Sequence, residues 1–73
     1  MIGDKALILR KCIDALPLEQ RTIIDLVYYH ELAVAEVSAV AGIPEGTVKT
    51  RLFNARKKLS TMLLAAGVDR GWP

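Results

Sequence analysis

The stretch Gly42-Ile43-Pro44-Glu45-Gly46-Thr47-Val48-Lys49-Thr50-Arg51-Leu52-Phe53-Asn54-Ala55-Arg56-Lys57-Lys58-Leu59 decides the fold. Gly42 is the residue best able to take the left-handed cap that ends a helix, and Pro44 has the φ that a first helical turn requires. Glu45 sets an acid against the positive end of the helix that follows. From there Val48, Leu52, Ala55, Leu59 and Met62 recur at alternating intervals of four and three, a narrow apolar stripe for packing on other helices. With each residue turned by about 100°, the opposite side holds Thr50 and Lys57, with Gly46, Phe53 and Asn54 beside them. Lys49, Arg51, Arg56 and Lys58 fall on the flanks. The spacing predicts a long helix with an apolar inner face and a polar outer face bordered by basic residues.

Upstream of Gly42 the apolar residues also keep helical spacing, and no two-residue alternation with a hairpin turn appears. The chain is predicted to be all-α: one domain over residues 1–73, of four helices, containing a helix-turn-helix without a wing. A first helix from about Lys5 to Ala15 turns Ala6, Leu9, Ile13 and Leu16 to one face. Pro17 opens a second, which runs through Ile23, Leu26 and Val27 to about His30, so residues 5–30 hold the first pair. A short third helix from Val34 to Ala41 carries Val37 and Val40 inward, and residues 34–61 form the helix-turn-helix. Residues 67–73, with two glycines and a terminal proline, read as a frayed tail in which Trp72 patches the domain.

A chain of 73 residues has no room for a second core, which excludes a multi-domain enzyme. Its longest apolar run, Met62 to Ala66, is far short of the roughly 20 residues that span a bilayer, and no signal pattern opens the chain. The reading is a soluble, cytoplasmic protein with no membrane partner. The single cysteine, Cys12, permits no internal disulfide and reads as a free, buried thiol. His30 has no second ligand at a metal spacing and reads as a helix-end residue; no nucleophile–base pair is evident either. No enzyme activity, metal or cofactor is expected.

The net charge of +2 is unevenly spread. Residues 1–44 carry four basic side chains against six acidic ones, and the remainder six against two. Five cations and no anion lie between Lys49 and Lys58, which fits either a solvated helix face or a polyanion approached from one end of the fold. Phe53, the one phenylalanine, falls on the face that meets solvent and is either an incidental exposed aromatic or a ligand contact. Gly46, in the first helical turn, points to a close backbone approach by a neighbouring helix or a phosphate. In a helix-turn-helix the first helix crosses the DNA backbone and the second inserts side chains into the major groove, where base edges are distinguishable. Helical bundles of other function also contain such turns.

The residues themselves narrow the choice. Leu16-Pro17-Leu18-Glu19-Gln20-Arg21, Leu32-Ala33-Val34-Ala35-Glu36-Val37-Ser38 and the stretch from Gly42 to Leu59 resemble region 4 of extracytoplasmic-function (ECF) sigma factors, without gaps over residues 10–61. The resemblance implies a four-helix unit whose last helix reads the promoter −35 element. It also implies surfaces that meet the β-subunit flap of RNA polymerase and, often, an anti-sigma factor. Position by position, the family's DNA-reading face falls on Lys49, Thr50, Phe53 and Asn54, with Arg51, Arg56 and Lys57 near the backbone. Each implied role has a physical basis: Lys49 and Asn54 can donate to base edges, Thr50 can bond a base or a phosphate, and Phe53 can lie against a thymine methyl or a sugar. Thr47 either presents its hydroxyl and backbone N–H to a phosphate or serves as a local cap.

Four positions depart from the family's pattern. Val27 stands where an arginine commonly reaches the DNA backbone, Glu31 where glycine is preferred, Ala33 at the usual Ser or Thr cap, and Asn54 where the residue is often basic. Two other readings stay open: a LuxR-type effector domain, which shares the four-helix plan, and a region-4-like module that binds protein without touching DNA. Region 2, which melts the −10 element in such sigma factors, has no counterpart here, so the chain is expected to be a fragment. Ile8, Cys12, Ile24 and Tyr28 flank the inner stripes and are expected to be partly open, for contact with polymerase, an anti-sigma factor or, in weak self-association, a second copy.

Overall fold

The computed structural model describes the backbone of residues 2–67 and the side chains of residues 6–67. Residues 68–73, and with them the expectations for Trp72 and most of the tail, lie outside the described residues. Four α-helices follow one another: α1 (Ile2–Asp14), α2 (Leu18–Ile24), α3 (Val34–Ala41) and α4 (Glu45–Ala65). A π-helical turn, Asp25–Tyr29, continues α2. There is no strand among the described residues, and no helix there is long and apolar enough to cross a membrane.

The core is two clusters strung along α4. In one, Ile13 and Leu16 from the α1 end and Ile24 from α2 close on Ala55 and Leu59. In the other, Ile23, Val37 and Val48 join α2, α3 and the start of α4. Leu52 packs against both and links them. The adjacent residues Ile23 and Ile24 thus serve different clusters, because α2 and its π extension pack between α1 and α3 with α4 across them. The expectation that Ile24 is partly open is therefore corrected: it is wholly buried, while Ile8, Cys12 and Tyr28 are half-buried. Cys12 in turn is not the buried thiol expected, but packs against the first cluster from its edge.

Two other inward assignments shift. Ala6 is exposed, since α1 buries its C-terminal end, with Leu9 and Cys12 leaning on the cluster that holds Ile13. Val40 is 67% exposed, because the inward row of α3 runs back from the buried Val37 to Val34. On α4, Leu63 is buried below Leu59, one position beyond the half-buried Met62.

The segment between α2 and α3 carries two departures from ordinary helix geometry. The π turn ends at His30, whose N–H donates to the Asp25 carbonyl, and Glu31 follows with φ +54°. A side chain in that left-handed region is strained, a physical reason for the glycine that the resemblance implies at this position. Ala33, at the N-cap of α3, has no side-chain acceptor, but Glu36 Oε1 accepts from its backbone N–H at 2.8 Å, so one arm of a capping box survives. Arg10 binds α1 to the π turn. It donates to Asp14 at 2.7 Å and to Asp25 at 3.1 Å and lies 5.1 Å from the Tyr29 ring centroid. The hydrogen bond to Asp14, aided by Asp25 against some desolvation, holds the guanidinium proton more firmly than usual.

Candidate nucleic-acid interface

The aim of α4 is set by the turn before it. Gly42 takes the left-handed conformation at φ +70°, and its N–H and that of Ile43 both donate to the Ser38 carbonyl. The Ser38 hydroxyl reaches forward to the Ile43 carbonyl at 2.5 Å, so one residue ties both ends of the turn. Pro44 then serves as N-cap, and α4 starts with Glu45.

The face of α4 opposite Val48, Ala55 and Leu59 is uncovered. Lys49, Thr50, Phe53, Asn54, Arg56 and Lys57 are exposed, whereas Thr47 and Arg51 are half-buried. Phe53 is 66% exposed, so the described fold leaves most of its side chain uncovered. The Thr50 hydroxyl donates to the Gly46 carbonyl at 3.0 Å, leaving its lone pairs to accept. A Cβ built on Gly46 would meet nothing within 4 Å, which removes a neighbouring helix as the reason for glycine there. No side-chain hydrogen bond caps the start of α4, so the local-cap reading of Thr47 gains no support.

The five cations are not equivalent. Arg51 lies 3.8 Å from Glu19, and Arg56 Nε donates to Tyr28 Oη at 2.6 Å, so both are tied to the second helix and its extension. Lys49, Lys57 and Lys58 make no ion pair among the described residues. Beside this face, Gln20, Asn54, Lys57, Lys58, Thr61 and Met62 line an open groove of about 610 Å³. Gln20 Oε1 is buried there without a hydrogen-bond partner among the described residues. Among those residues, no three histidine, cysteine or carboxylate side chains are grouped to hold a metal ion.

Sequence reasoning gave Ser38, Glu19 and Gln20 no part here, and it assigned Tyr28 to a protein contact and not to Arg56. Ser38 bonds within the turn and was within reach of local rules. Arg56 pairs with Tyr28 across 28 positions and Arg51 with Glu19 across two helices, so no local spacing announces either pair.

Comparison with known proteins gives the family of this fold. The model of the family "Sigma-70, region 4" matches residues 6–59. The chain is 44% identical over 48 residues to the ECF RNA polymerase sigma factor SigW of Bacillus subtilis (strain 168), covering 66% of this chain and 26% of that protein. It is 35% identical over 60 residues to the ECF RNA polymerase sigma factor EcfG of Rhodopseudomonas palustris (strain TIE-1), covering 82% and 33%. Against the ECF RNA polymerase sigma factor SigM of Mycobacterium tuberculosis (strain ATCC 25618 / H37Rv) the identity is 32% over 68 residues, covering 90% and 35%. The chain thus spans between a quarter and about a third of the length of these relatives. The family match also sets aside the LuxR-type reading. With its helix-turn-helix, its motif residues in place and more than half its length matched, this chain belongs to the sigma-70 region 4 family.

Proposed function

We propose that this chain is the −35-reading domain of an ECF-type sigma factor, binding promoter DNA through the outer face of α4 and RNA polymerase through other surfaces. One observation carries the reading: Lys49, Thr50, Phe53, Asn54 and Lys57 stand exposed together on the second helix of a helix-turn-helix, with its apolar stripe turned the other way. Lys49 and Asn54 donate to base edges, Thr50 accepts from a base, and Phe53 covers a thymine methyl or a sugar. Arg56 and Lys57 meet the backbone, and Arg51 joins them by exchanging Glu19 for a phosphate. At the positive end of α4, Thr47 and its N–H meet another phosphate, and Gly46 lets the DNA backbone come close.

Polymerase docking falls to the apolar side chains that the fold leaves outside this face, among them Leu7, Leu18, Tyr29, Val40 and Leu64. In this reading the β-subunit flap occupies part of that surface, and an anti-sigma factor or a second copy of the chain competes for it. A pool of short duplexes with a randomised core tests the DNA half. One motif is expected to be enriched, with Lys49→Ala and Asn54→Ala each weakening its binding by about 1–3 kcal/mol. If no motif is enriched while polymerase core still retains the chain, the DNA reading is replaced by that of a protein-binding module.

A further inference from the structure

Arg56 stands on the flank of α4 already engaged. Its Nε donates to Tyr28 Oη at 2.6 Å, and its guanidinium carbon lies 5.5 Å from the centroid of the same ring. Tyr28 belongs to the π-helical turn Asp25–Tyr29, and its half-buried ring packs against the cluster of Ile13, Leu16, Ile24, Ala55 and Leu59. We propose that Tyr28 is a positioning residue for DNA binding, holding the Arg56 guanidinium ready for a backbone phosphate. The inference rests on the DNA-binding reading above.

Three physical points support it. An exposed arginine samples many rotamers, and fixing it on a phosphate costs that freedom; a partner that orders the side chain beforehand removes part of the cost. The bond to Tyr28 uses the Nε donor alone and leaves the four N–H groups of the two Nη atoms, which include the fork that matches phosphate oxygens. Finally, the acceptor is a hydroxyl. Arg51 is held by the Glu19 carboxylate, an anion that competes with phosphate for the same cation, whereas Tyr28 orders Arg56 without offsetting its charge. The anchor is also firm: the half-buried ring packs against the core cluster, on a π turn, a form found often at functional sites.

The test compares Tyr28→Phe, Arg56→Ala and the double variant of the full chain, on the duplex enriched from the randomised pool, across a salt series. Tyr28→Phe keeps the ring and loses the acceptor. It is expected to weaken binding roughly two- to tenfold while the salt slope stays that of the parent chain, since the charge remains. Arg56→Ala is expected to weaken binding further and to make the slope shallower by about 0.9. In the Arg56→Ala background, Tyr28→Phe is expected to add nothing. Binding by Tyr28→Phe equal to the parent chain, or an equal loss with and without Arg56, overturns the inference and leaves the DNA-binding reading standing. If the parent chain enriches no duplex, both fall together.

Discussion

At the scale of single residues, two positions show the backbone's demands most clearly. Glu31 sits at φ +54°, a conformation that disfavours any side chain, directly after the π turn. Glu31→Gly is expected to raise stability by up to about 1 kcal/mol, part of the relief being offset by the greater freedom of glycine in the unfolded chain. A thermal melt of a domain this small reads 1 kcal/mol as a shift of roughly 4–8 °C, and a lowered melting temperature would contradict the strain. Gly46 is the reverse case: it is helical, and the space where a Cβ would go is empty. Gly46→Ala is therefore expected to stabilise the fold by up to about 1 kcal/mol and yet to weaken DNA binding, because the added methyl meets the approaching backbone. Melting temperature and duplex affinity measured on the same variant check it; a gain or no change in both would mean that nothing approaches Gly46.

At the scale of the element, α4 divides its work between two sides. Leu59 is wholly buried, so Leu59→Ala is expected to cost about 2–5 kcal/mol of stability, whereas Lys49→Ala, exposed and without an ion pair among the described residues, is expected to change stability by less than about 0.5 kcal/mol. Denaturant unfolding of the two variants decides the assignment of faces, and a reversal of the two results would invert it. This division was legible in the sequence because one helical period fixes both sides: once Val48, Ala55 and Leu59 turn inward, Thr50, Phe53 and Lys57 must turn out. The turn was legible for a similar reason, since Gly42 and Pro44 each permit few backbone conformations. The second helix was legible in its extent, from Pro17 to about His30, but its division into sides was not. A period finds one buried stripe, but α2 is packed on more than one side, so Ile23 and Ile24 are both buried and the stripe disappears. The π turn changes a hydrogen-bonding pattern, not a residue pattern, and left no signal. Val40 was misplaced because a helix as short as α3 has one fully buried residue, Val37, and its neighbours set the rotation of the rest.

At the scale of the whole molecule, what matters is where the charge sits. A net charge of +2 is small, but five cations occupy ten consecutive positions of α4. Val27, where the resemblance implies another DNA-facing cation, instead packs against the cluster of Ile23, Val37 and Val48. With about five phosphates at most to neutralise, log K is expected to fall with log salt at a slope near −4.5 or shallower, Arg51 contributing less while Glu19 holds it. One helix-turn-helix reads one groove, so the affinity of the isolated chain is expected to be roughly micromolar at physiological salt. In the proposed function, attachment to the rest of a sigma factor and to polymerase would raise the effective concentration without any new contact at the −35 element. The most direct measurement is a titration of the parent chain and of Lys49→Ala against the enriched duplex at several salt concentrations. Salt-limited, roughly micromolar binding that Lys49→Ala weakens by about 1–3 kcal/mol is the expected result. Nanomolar binding that hardly responds to salt, or binding that Lys49→Ala leaves unchanged, would contradict the assignment of DNA reading to the outer face of α4.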